Sequence, residues 1–321
     1  MKETLILGTR ASALALAQTE LTRAALSRAF PDLEVSVRTF TTRGDQKLDL
    51  SLIKGSEAGG KGLFTKELED ELLAGGIDVA VHSLKDLPGQ NPDGLCLAAV
   101  LERAPTADVL ISKLVGGLDG LPHGARIGTS SIRRARQLQW LRRDLHVDEW
   151  RGNVQTRLRK LGQNADFTGI ILAQAGLERL GFPVGSGVIE FEGFQFQVTS
   201  LGNQLFPAIG QGAIALQSRA SDARVQPFLD AINHQPTFRA IRAERELQRL
   251  LSGDCTLPVG VRTQQDGSQL RMAAILFGEE GVAPAHAEAE GTADEPERVA
   301  GDVFAKLTSQ GNPLGVSSTH P

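Results

Sequence analysis

Tyrosine is absent from this chain of 321 residues, and cysteine, methionine and tryptophan occur only twice each. Two cysteines cannot form a disulfide framework, which is typical of a protein from a reducing compartment. A long apolar run is also missing. The amino-terminal stretch MKETLILGTRASALALAQTE contains an early acid and indicates a strand followed by a helix rather than a secretory signal. We therefore expect a cytoplasmic protein without a membrane-spanning segment.

An excess of positive charge is missing as well, since the formal net charge is −4. The charge is nevertheless uneven, because residues 125–160 hold ten basic residues against three acids, a local balance of +7. Nucleic acid could use such a basic wall, but the only aromatic residues able to stack there are Trp140 and Trp150. The pattern favours a small ligand with several anionic groups over a nucleic acid.

Short β-like runs alternate with helical ones along most of the sequence. This order predicts an α/β fold with mostly parallel sheets that helices cover on both faces. The alternation is interrupted near residues 102–106 and 205–217. We predict three domains: domain 1, an α/β lobe, is 1–103 with about 206–230, domain 2, an α/β lobe that bears the basic wall, is 104–205, and domain 3, a smaller α+β unit, is 231–321.

Polar residues gather where four predicted strands end, in GTRAS at 8–12, HSLKD at 82–86, GTSSIRR at 128–134 and RGNVQTR at 151–157. Ligands of open α/β sheets bind beyond the carboxyl ends of the strands. We therefore expect all four motifs to line one crevice between two domains. Helix amino termini, hydroxyl groups and arginine forks in these motifs suit carboxylates or phosphates.

The pair Lys85–Asp86 ends the predicted strand VAVHSL. It could be a surface ion pair, which stabilises a protein little. Among many arginines, Asp86 could instead face a cationic intermediate or transfer a proton. The position at a strand end favours this second interpretation.

The two cysteines lie in different settings. Cys96 belongs to the apolar run LCLAAV and is expected to behave as a small buried hydrophobe. Cys255 lies in the polar loop GDCTLPVG, where an accessible thiol is expected to have a use. It could be a nucleophile with a remote histidine base, or the attachment point of a covalently held group.

Two further patterns could indicate ligand sites. GSEAGGKG at 55–62 lacks the Ser or Thr of a phosphate-binding P-loop, so we expect Lys61 and the nearby Phe64 to belong to a mobile loop that closes over the site. The six histidines show no ligand spacing, and we predict no metal.

Taken together, the motifs resemble the hydroxymethylbilane synthase family, also called the porphobilinogen deaminase family, over nearly the whole chain. The stretches that carry the resemblance occur in the family's order: GTRASALALAQ, TRGD, GGKGLFTKELE, VHSLKDLP, IGTSSIRRARQ, RGNVQTRL, ILAQAGLERLG, PAIGQGA and GDCTLPVG.

The resemblance implies two lobes similar to those of periplasmic ligand-binding proteins, with the active cleft between them, and a smaller C-terminal domain. It implies a transferase of tetrapyrrole (heme) biosynthesis. Separately, the sequence shows no apolar stripe that demands a partner, so we expect a monomer, and the scarcity of stacking aromatics predicts that it binds no nucleic acid. Four porphobilinogen molecules would condense head to tail, each losing ammonia, on a dipyrromethane cofactor bound to Cys255 through a thioether. Water would then release hydroxymethylbilane.

The resemblance also implies the roles of single residues. Asp86 would be the catalytic carboxylate, and Arg10, Arg151, Arg157 and Arg179 would bind substrate. The cofactor ligands would be Arg10, Ser12, Lys85, Asp86, Thr129, Ser130, Ser131, Arg133, Arg134, Arg151 and Arg157. Lys61 and Phe64 would lie in the mobile loop, whose sequence LIKGSEAGGKG is longer than usual for the family and leaves the role of Lys54 open.

Two other classes of function remain as alternatives. The crevice alone would suit a non-catalytic two-lobed receptor for a small polyanion, and the basic wall alone would suit a nucleic-acid-binding protein. Incubation with porphobilinogen separates the enzyme from the receptor, because only the enzyme releases ammonia.

Overall fold

The computed structural model describes residues 3–41, 65–251, 257–279 and 281–310. The chain forms two compact units, and neither is continuous in sequence. The first comprises Met1–Ala104 and Gly212–Phe238, and the second comprises Pro105–Gln211 and Arg239–Pro321. Within the described residues, no helix is long and apolar enough to cross a membrane.

The first unit is a five-stranded sheet with helices. Its elements are β1 (Thr4–Arg10), α1 (Ala13–Ala29), β2 (Glu34–Phe40), α2 (Lys66–Leu73), β3 (Val79–Ser83), β4 (Leu95–Val100), β11 (Ile214–Arg219) and α6 (Gln226–Ile232). The strand order is β2-β1-β3-β11-β4. β1 is parallel to β2 and β3, whereas β11 is antiparallel to β3 and β4. Leu5, Leu7 and Leu216 are fully buried in its core.

A six-stranded sheet dominates the second unit. Its elements are β5 (Asp108–Ser112), β6 (Arg126–Gly128), α3 (Ile132–Leu141), β7 (His146–Asp148), α4 (Val154–Gln163), β8 (Gly169–Ala173), α5 (Gln174–Arg179), β9 (Val188–Phe191) and β10 (Phe194–Ser200). The strand order is β7-β6-β8-β5-β10-β9. β6 is parallel to β7 and β8, but β5 is antiparallel to β8 and β10.

The second unit also contains a three-stranded antiparallel sheet near the carboxyl end. Helix α7 (Gln235–Leu250) leads to it, and the sheet consists of β12 (Val259–Asp266), β13 (Gln269–Leu276) and β14 (Ala285–Thr292), followed by α8 (Pro296–Ser309). Every second residue of β13 is buried, as expected when one face of a sheet is covered. Leu270 and Met272 on that face pack with Val303 of α8 in one core.

The predicted α/β class with a separate C-terminal α+β part is confirmed, but the expectation of mostly parallel sheets was wrong. Strands β9 and β10 are joined by Glu192 and Gly193, whose φ angles are 50° and 82°. Two consecutive positive φ angles are typical of the type I′ turns that join antiparallel strands. Parallel strands need a long crossover, whereas a chain that returns by a tight turn pairs antiparallel. The division into three domains by residue number stays a prediction.

Candidate functional site

A cavity of about 60 Å³ lies in the first unit beside the ends of β1 and β3. The parallel pairing of these strands brings their carboxyl ends to one edge of the sheet. Ser12 caps α1 there by accepting a hydrogen bond from the Ala15 amide over 3.3 Å. A short 3₁₀ turn, Leu84–Asp86, follows β3 and presents Asp86. The structure therefore brings Arg10, Ser12 and Asp86 together, as the motifs GTRAS and HSLKD predicted.

The polar groups of this cavity carry opposite charges. Of the described residues that line it, Asp86 alone is acidic and Arg10 alone is basic at neutral pH. Asp86 is exposed, whereas Arg10 is half-buried. The Gln18 side chain donates a hydrogen bond to Ser83 Oγ over 2.8 Å, which fixes the orientation of both groups in the wall. Such a cavity can accept a ligand with an anionic group and a centre of developing positive charge.

His82 lies in the wall of the same cavity and is 5% exposed. Burial, assisted by the charge of Arg10, lowers the pKa of His82 to about 4. The ring is therefore neutral at pH 7, and its Nε2 lies 3.1 Å from the Gln217 side-chain oxygen. Gln217 in turn donates to Glu69 over 3.3 Å, and burial raises the pKa of that carboxyl. This network could not be predicted from the sequence, because Gln217 is 135 positions from His82.

The other two motifs meet in the second unit, at the ends of the parallel strands β6 and β7. The Thr129 amide donates to the Asp148 carbonyl over 2.9 Å, and the Trp150 amide donates to Ser130 Oγ over 3.1 Å. Ser131 is the amino-terminal cap of α3. The structure thus joins the motifs in pairs, one pair in each unit, and the single crevice lined by all four stays a prediction.

Both arginines of the IRR sequence lie in a buried ion-pair cluster with Asp108. Arg134 Nη2 lies 2.7 Å from Asp108 Oδ1, and Arg133 Nη1 lies 2.8 Å from Asp108 Oδ2. Asp108 is 1% exposed, and each arginine is 5% exposed. Burial by itself would raise the pKa of Asp108, but the charges of Arg133 and Arg134 outweigh it and hold the pKa well below its usual range.

This cluster has one positive charge in excess, because two guanidinium groups share one carboxylate. Within the described residues, Arg133 Nε is buried and has no hydrogen-bond partner. A buried excess of charge is stabilised by an anion, so the cluster fits a carboxylate ligand. Sequence reasoning missed Asp108, which precedes its partners by about 25 positions and follows the stretch ERAPT that was predicted as a domain boundary. Ligand binding by Arg133 and Arg134 stays a prediction.

The remaining predicted basic residues differ in their surroundings. Arg151 pairs with Glu149 and lines an open depression of about 560 Å³ in the second unit. Arg157 donates to the Gly152 carbonyl over 2.7 Å. Arg179 ends α5, and burial lowers its pKa to about 10, so it remains charged at neutral pH. Lys85 is half-buried and belongs to the 3₁₀ turn of Asp86.

Several predicted residues fall outside the part that the structure describes, namely Cys255, Lys54, Lys61 and Phe64. Cys96 is half-buried against the core of the first unit, and its sulfur lies 3.8 Å from Ser218 Oγ. Among the described residues, no group of three or more histidine, cysteine, aspartate or glutamate side chains could hold a metal ion.

Comparison with known proteins identifies the family. Residues 5–227 match the family model "Porphobilinogen deaminase, dipyromethane cofactor binding domain", and residues 238–309 match "Porphobilinogen deaminase, C-terminal domain". The porphobilinogen deaminase of Syntrophomonas wolfei is 42% identical over 95% of this chain and 95% of that protein. That of Carboxydothermus hydrogenoformans is 41% identical over 97% of this chain and 96% of that protein.

A solved structure, the methionine binding protein MetQ, matches with a TM-score of 0.42 at 14% identity, over 71% of this chain and 89% of that chain. The relatives and the two family models cover both described units, and the family that the motif set predicted is confirmed. This chain therefore belongs to the porphobilinogen deaminase family, the transferases of tetrapyrrole biosynthesis that polymerise porphobilinogen.

Proposed function

We propose that the chain carries a dipyrromethane on Cys255 through a thioether and uses Asp86 as its catalytic carboxylate. On this dipyrromethane, four porphobilinogen molecules are joined head to tail, and water then releases hydroxymethylbilane. The observation that carries the proposal is the cavity at the ends of β1 and β3, where Asp86 lies with Arg10 and Ser12. The dipyrromethane named in the matching family model supports the choice of cofactor.

The described residues fit a dipyrromethane, because each pyrrole ring bears an acetate and a propionate. Arg133 and Arg134 have one positive charge in excess, and Arg133 Nε is buried without a hydrogen-bond partner in the described chain. Arginine is well suited to carboxylates because its fork can donate two parallel hydrogen bonds. When bound, the dipyrromethane supplies the pyrrole end on which the new chain is built.

The chain's own residues then act on the incoming porphobilinogen. Arg10 binds a side-chain carboxylate of the substrate, and Ser12 adds a hydroxyl donor. The substrate's C–N bond breaks, the electron pair leaves with ammonia, and the pyrrole is left as a cation. The Asp86 carboxylate stabilises this cation and accepts the proton lost when the new C–C bond restores the ring.

The neutral state of His82 supports the same assignment. A charged imidazole in the wall of the cavity would repel the pyrrole cation and weaken the effect of Asp86. Burial keeps the pKa of His82 near 4, so the ring is uncharged at neutral pH. Among the described residues that line the cavity, Arg10 and Asp86 are then the charged ones.

The proposal also covers Lys85, Thr129, Ser130, Ser131, Arg151 and Arg157 as cofactor ligands and Arg151, Arg157 and Arg179 as substrate ligands. The hydroxyls and the Arg151 motif meet at the ends of β6 and β7, which supports a shared ligand. We further propose that the protein is a monomer and that it acts in the cytoplasm; the low cysteine content of the sequence supports the cytoplasm.

Intact-mass measurement of the purified protein tests the attachment. We expect the wild-type chain to carry the mass of two linked pyrrole units, peptide mapping to place it on Cys255, and Cys255→Ala to have the mass of the bare chain. Cys96→Ala is the matched control and is expected to keep the added mass. An active wild-type protein of unmodified mass would contradict the proposal.

A further inference from the structure

The segment from Leu205 to Gly210 follows β10 along the chain and lies between α3 and strand β12 of the C-terminal sheet. On one side it is held by α3. The Gln137 side chain accepts a hydrogen bond from the Phe206 amide over 2.7 Å and donates one to the Phe206 carbonyl over 3.0 Å. Arg133 donates to the same carbonyl. Both backbone polar groups of Phe206 are therefore bound by the helix that carries the arginine pair.

The other side of the segment contacts β12. The Val261 amide donates to the Pro207 carbonyl over 2.8 Å, and the Arg262 guanidinium lies 4.7 Å from the centre of the Phe206 ring. At Gly260 the chains approach so closely that an added Cβ would lie 2.5 Å from Phe206 Cβ. No side chain larger than glycine fits there unless the strand or the segment moves.

A buried acid extends this contact to α7. Glu244 is 0% exposed and accepts a hydrogen bond from the Gly210 amide over 2.7 Å, while the Thr263 hydroxyl of β12 donates to its other oxygen. Leaving a buried carboxylate without its donors costs free energy, so these bonds resist separation of the segment 205–210 from α7 and β12. The grouping of both sheets in one compact unit agrees with this.

We infer that Phe206 and Gln137 are positioning residues that fix β12 relative to α3, and with it the distance between the cofactor's attachment point and the arginine pair. The inference rests on the proposed attachment at Cys255, which precedes Val259, the first residue of β12, by four positions. An extended chain spans at most about 3.5 Å per residue. The four positions between Cys255 and Val259 therefore limit how far the attachment point can move from the start of β12. The growing chain then moves past the arginines, while the C-terminal sheet keeps its place against α3.

The Gly260→Ala variant tests the inference, with Gly301→Ala as its matched control. Gly301 lies in α8, where an added Cβ meets no atom within 4 Å. Each holoenzyme is mixed briefly with porphobilinogen, and intact-mass spectra resolve the chains that hold different numbers of added units. We expect Gly260→Ala to carry the cofactor but to convert each species into the next about 10-fold more slowly, because small misplacements of reacting groups are costly. Gly301→Ala is expected to match the wild type.

The ratio of these species separates positioning from a loss of stability. Fewer folded chains lower all species together, whereas a displaced tether changes their ratio. Wild-type ratios in a Gly260→Ala protein that carries its cofactor on Cys255 would overturn this inference alone. A cofactor that maps to another residue would overturn it together with the proposed function.

Hydrogen exchange of the wild-type holoenzyme is a second test that does not depend on the folding of a variant. The amides of Val261 and Gly210 donate across the contact. We expect both to exchange equally slowly with and without porphobilinogen. Exchange that becomes about 10-fold faster only when substrate is present would show that the contact opens during chain growth and would overturn the inference.

Discussion

The Asp86 carboxylate combines exposure to solvent with a place in a short, anchored turn. It lies in a 3₁₀ turn that is anchored by Leu84, which is 1% exposed, and it is itself exposed beside a cavity that Arg10 also lines. The turn therefore holds a solvent-accessible carboxylate at a fixed place on the sheet edge. A change of this side chain should alter the charge of the cavity and leave the core of the first unit intact.

We predict that Asp86→Asn lowers turnover of porphobilinogen about 100-fold, because a preorganised charge is worth about 3 kcal/mol to a transition state. The thermal melting temperature should stay close to that of the wild type. Asp93→Asn, which changes an exposed acid in the turn before β4, is the matched control and should leave turnover unchanged. Near-normal turnover of Asp86→Asn would remove this residue from the mechanism.

Residues were predictable where the signal was local. Arg10, Ser12 and Asp86 stand at strand ends, and those strands are evident in the sequence, so their meeting at one edge followed from parallel pairing. Asp108 and Gln217 gave no such signal, because each is defined by partners far away in the chain. The sequence does not show how deeply a side chain is buried. The 1% exposure of Asp108 could therefore not be predicted from its residue type.

At the scale of elements, helices were easier to predict than strand directions. Helix α1 spans Ala13–Ala29, directly after Ser12 and two residues before Pro31, and in a sequence these two residue types are signals of a helix start and a helix end. The direction of β10 depends on the two-residue turn at Glu192 and Gly193, where a non-glycine residue has a φ of 50°. Turns of this kind usually contain Asn-Gly or Asp-Gly. The Glu-Gly pair at this position is therefore a weak signal, and the turn was not predicted from the sequence.

Two helical glycines give a prediction about α4 and α8. Alanine normally stabilises a helix relative to glycine by about 0.5–1 kcal/mol, and we expect that gain for Gly301→Ala. Gly162 of α4 differs, since an added Cβ would lie 2.4 Å from the Phe194 ring. We therefore expect Gly162→Ala to lower the free energy of unfolding by about 1–3 kcal/mol, as overpacked cores do.

Urea unfolding of the two holoenzyme variants beside the wild type measures the difference. The pair is matched, because the same methyl group is added inside a helix in both. If both variants have a higher free energy of unfolding than the wild type, by the same amount, then the Phe194 ring moves to make room for the added methyl group. The short distance between Gly162 and Phe194 would then not limit the packing of α4.

At the scale of the whole molecule, the stability should depend on pH through His82. An unfolded histidine has its usual pKa near 6.5, whereas burial lowers the pKa of His82 to about 4. Folding therefore favours the neutral ring. This preference contributes up to about 3 kcal/mol to the free energy of unfolding. The contribution is complete above pH 6.5 and is lost as the pH falls towards 4.

We predict that His82→Gln flattens this pH dependence in the first unit. Unfolding by urea, followed at pH 7.5, 5.5 and 4.5, should show a smaller loss of stability in the variant than in the wild type. His123→Gln, which replaces an exposed histidine, is the control and should follow the wild-type curve. If His82→Gln and the wild type lose the same stability between pH 7.5 and 4.5, the buried neutral histidine is not the cause.

The antiparallel strand β11 also bears on how the protein is made. It lies between β3 and β4 in the first sheet, yet it follows them in the chain by more than a hundred residues. A ribosome therefore synthesises the whole six-stranded sheet before the first sheet receives its inner strand. Until then β3 and β4 each present an unpaired edge, which is a template for aggregation. Slow translation or early arrest within this interval would expose nascent chains to such pairing, and holdase chaperones would be needed most there.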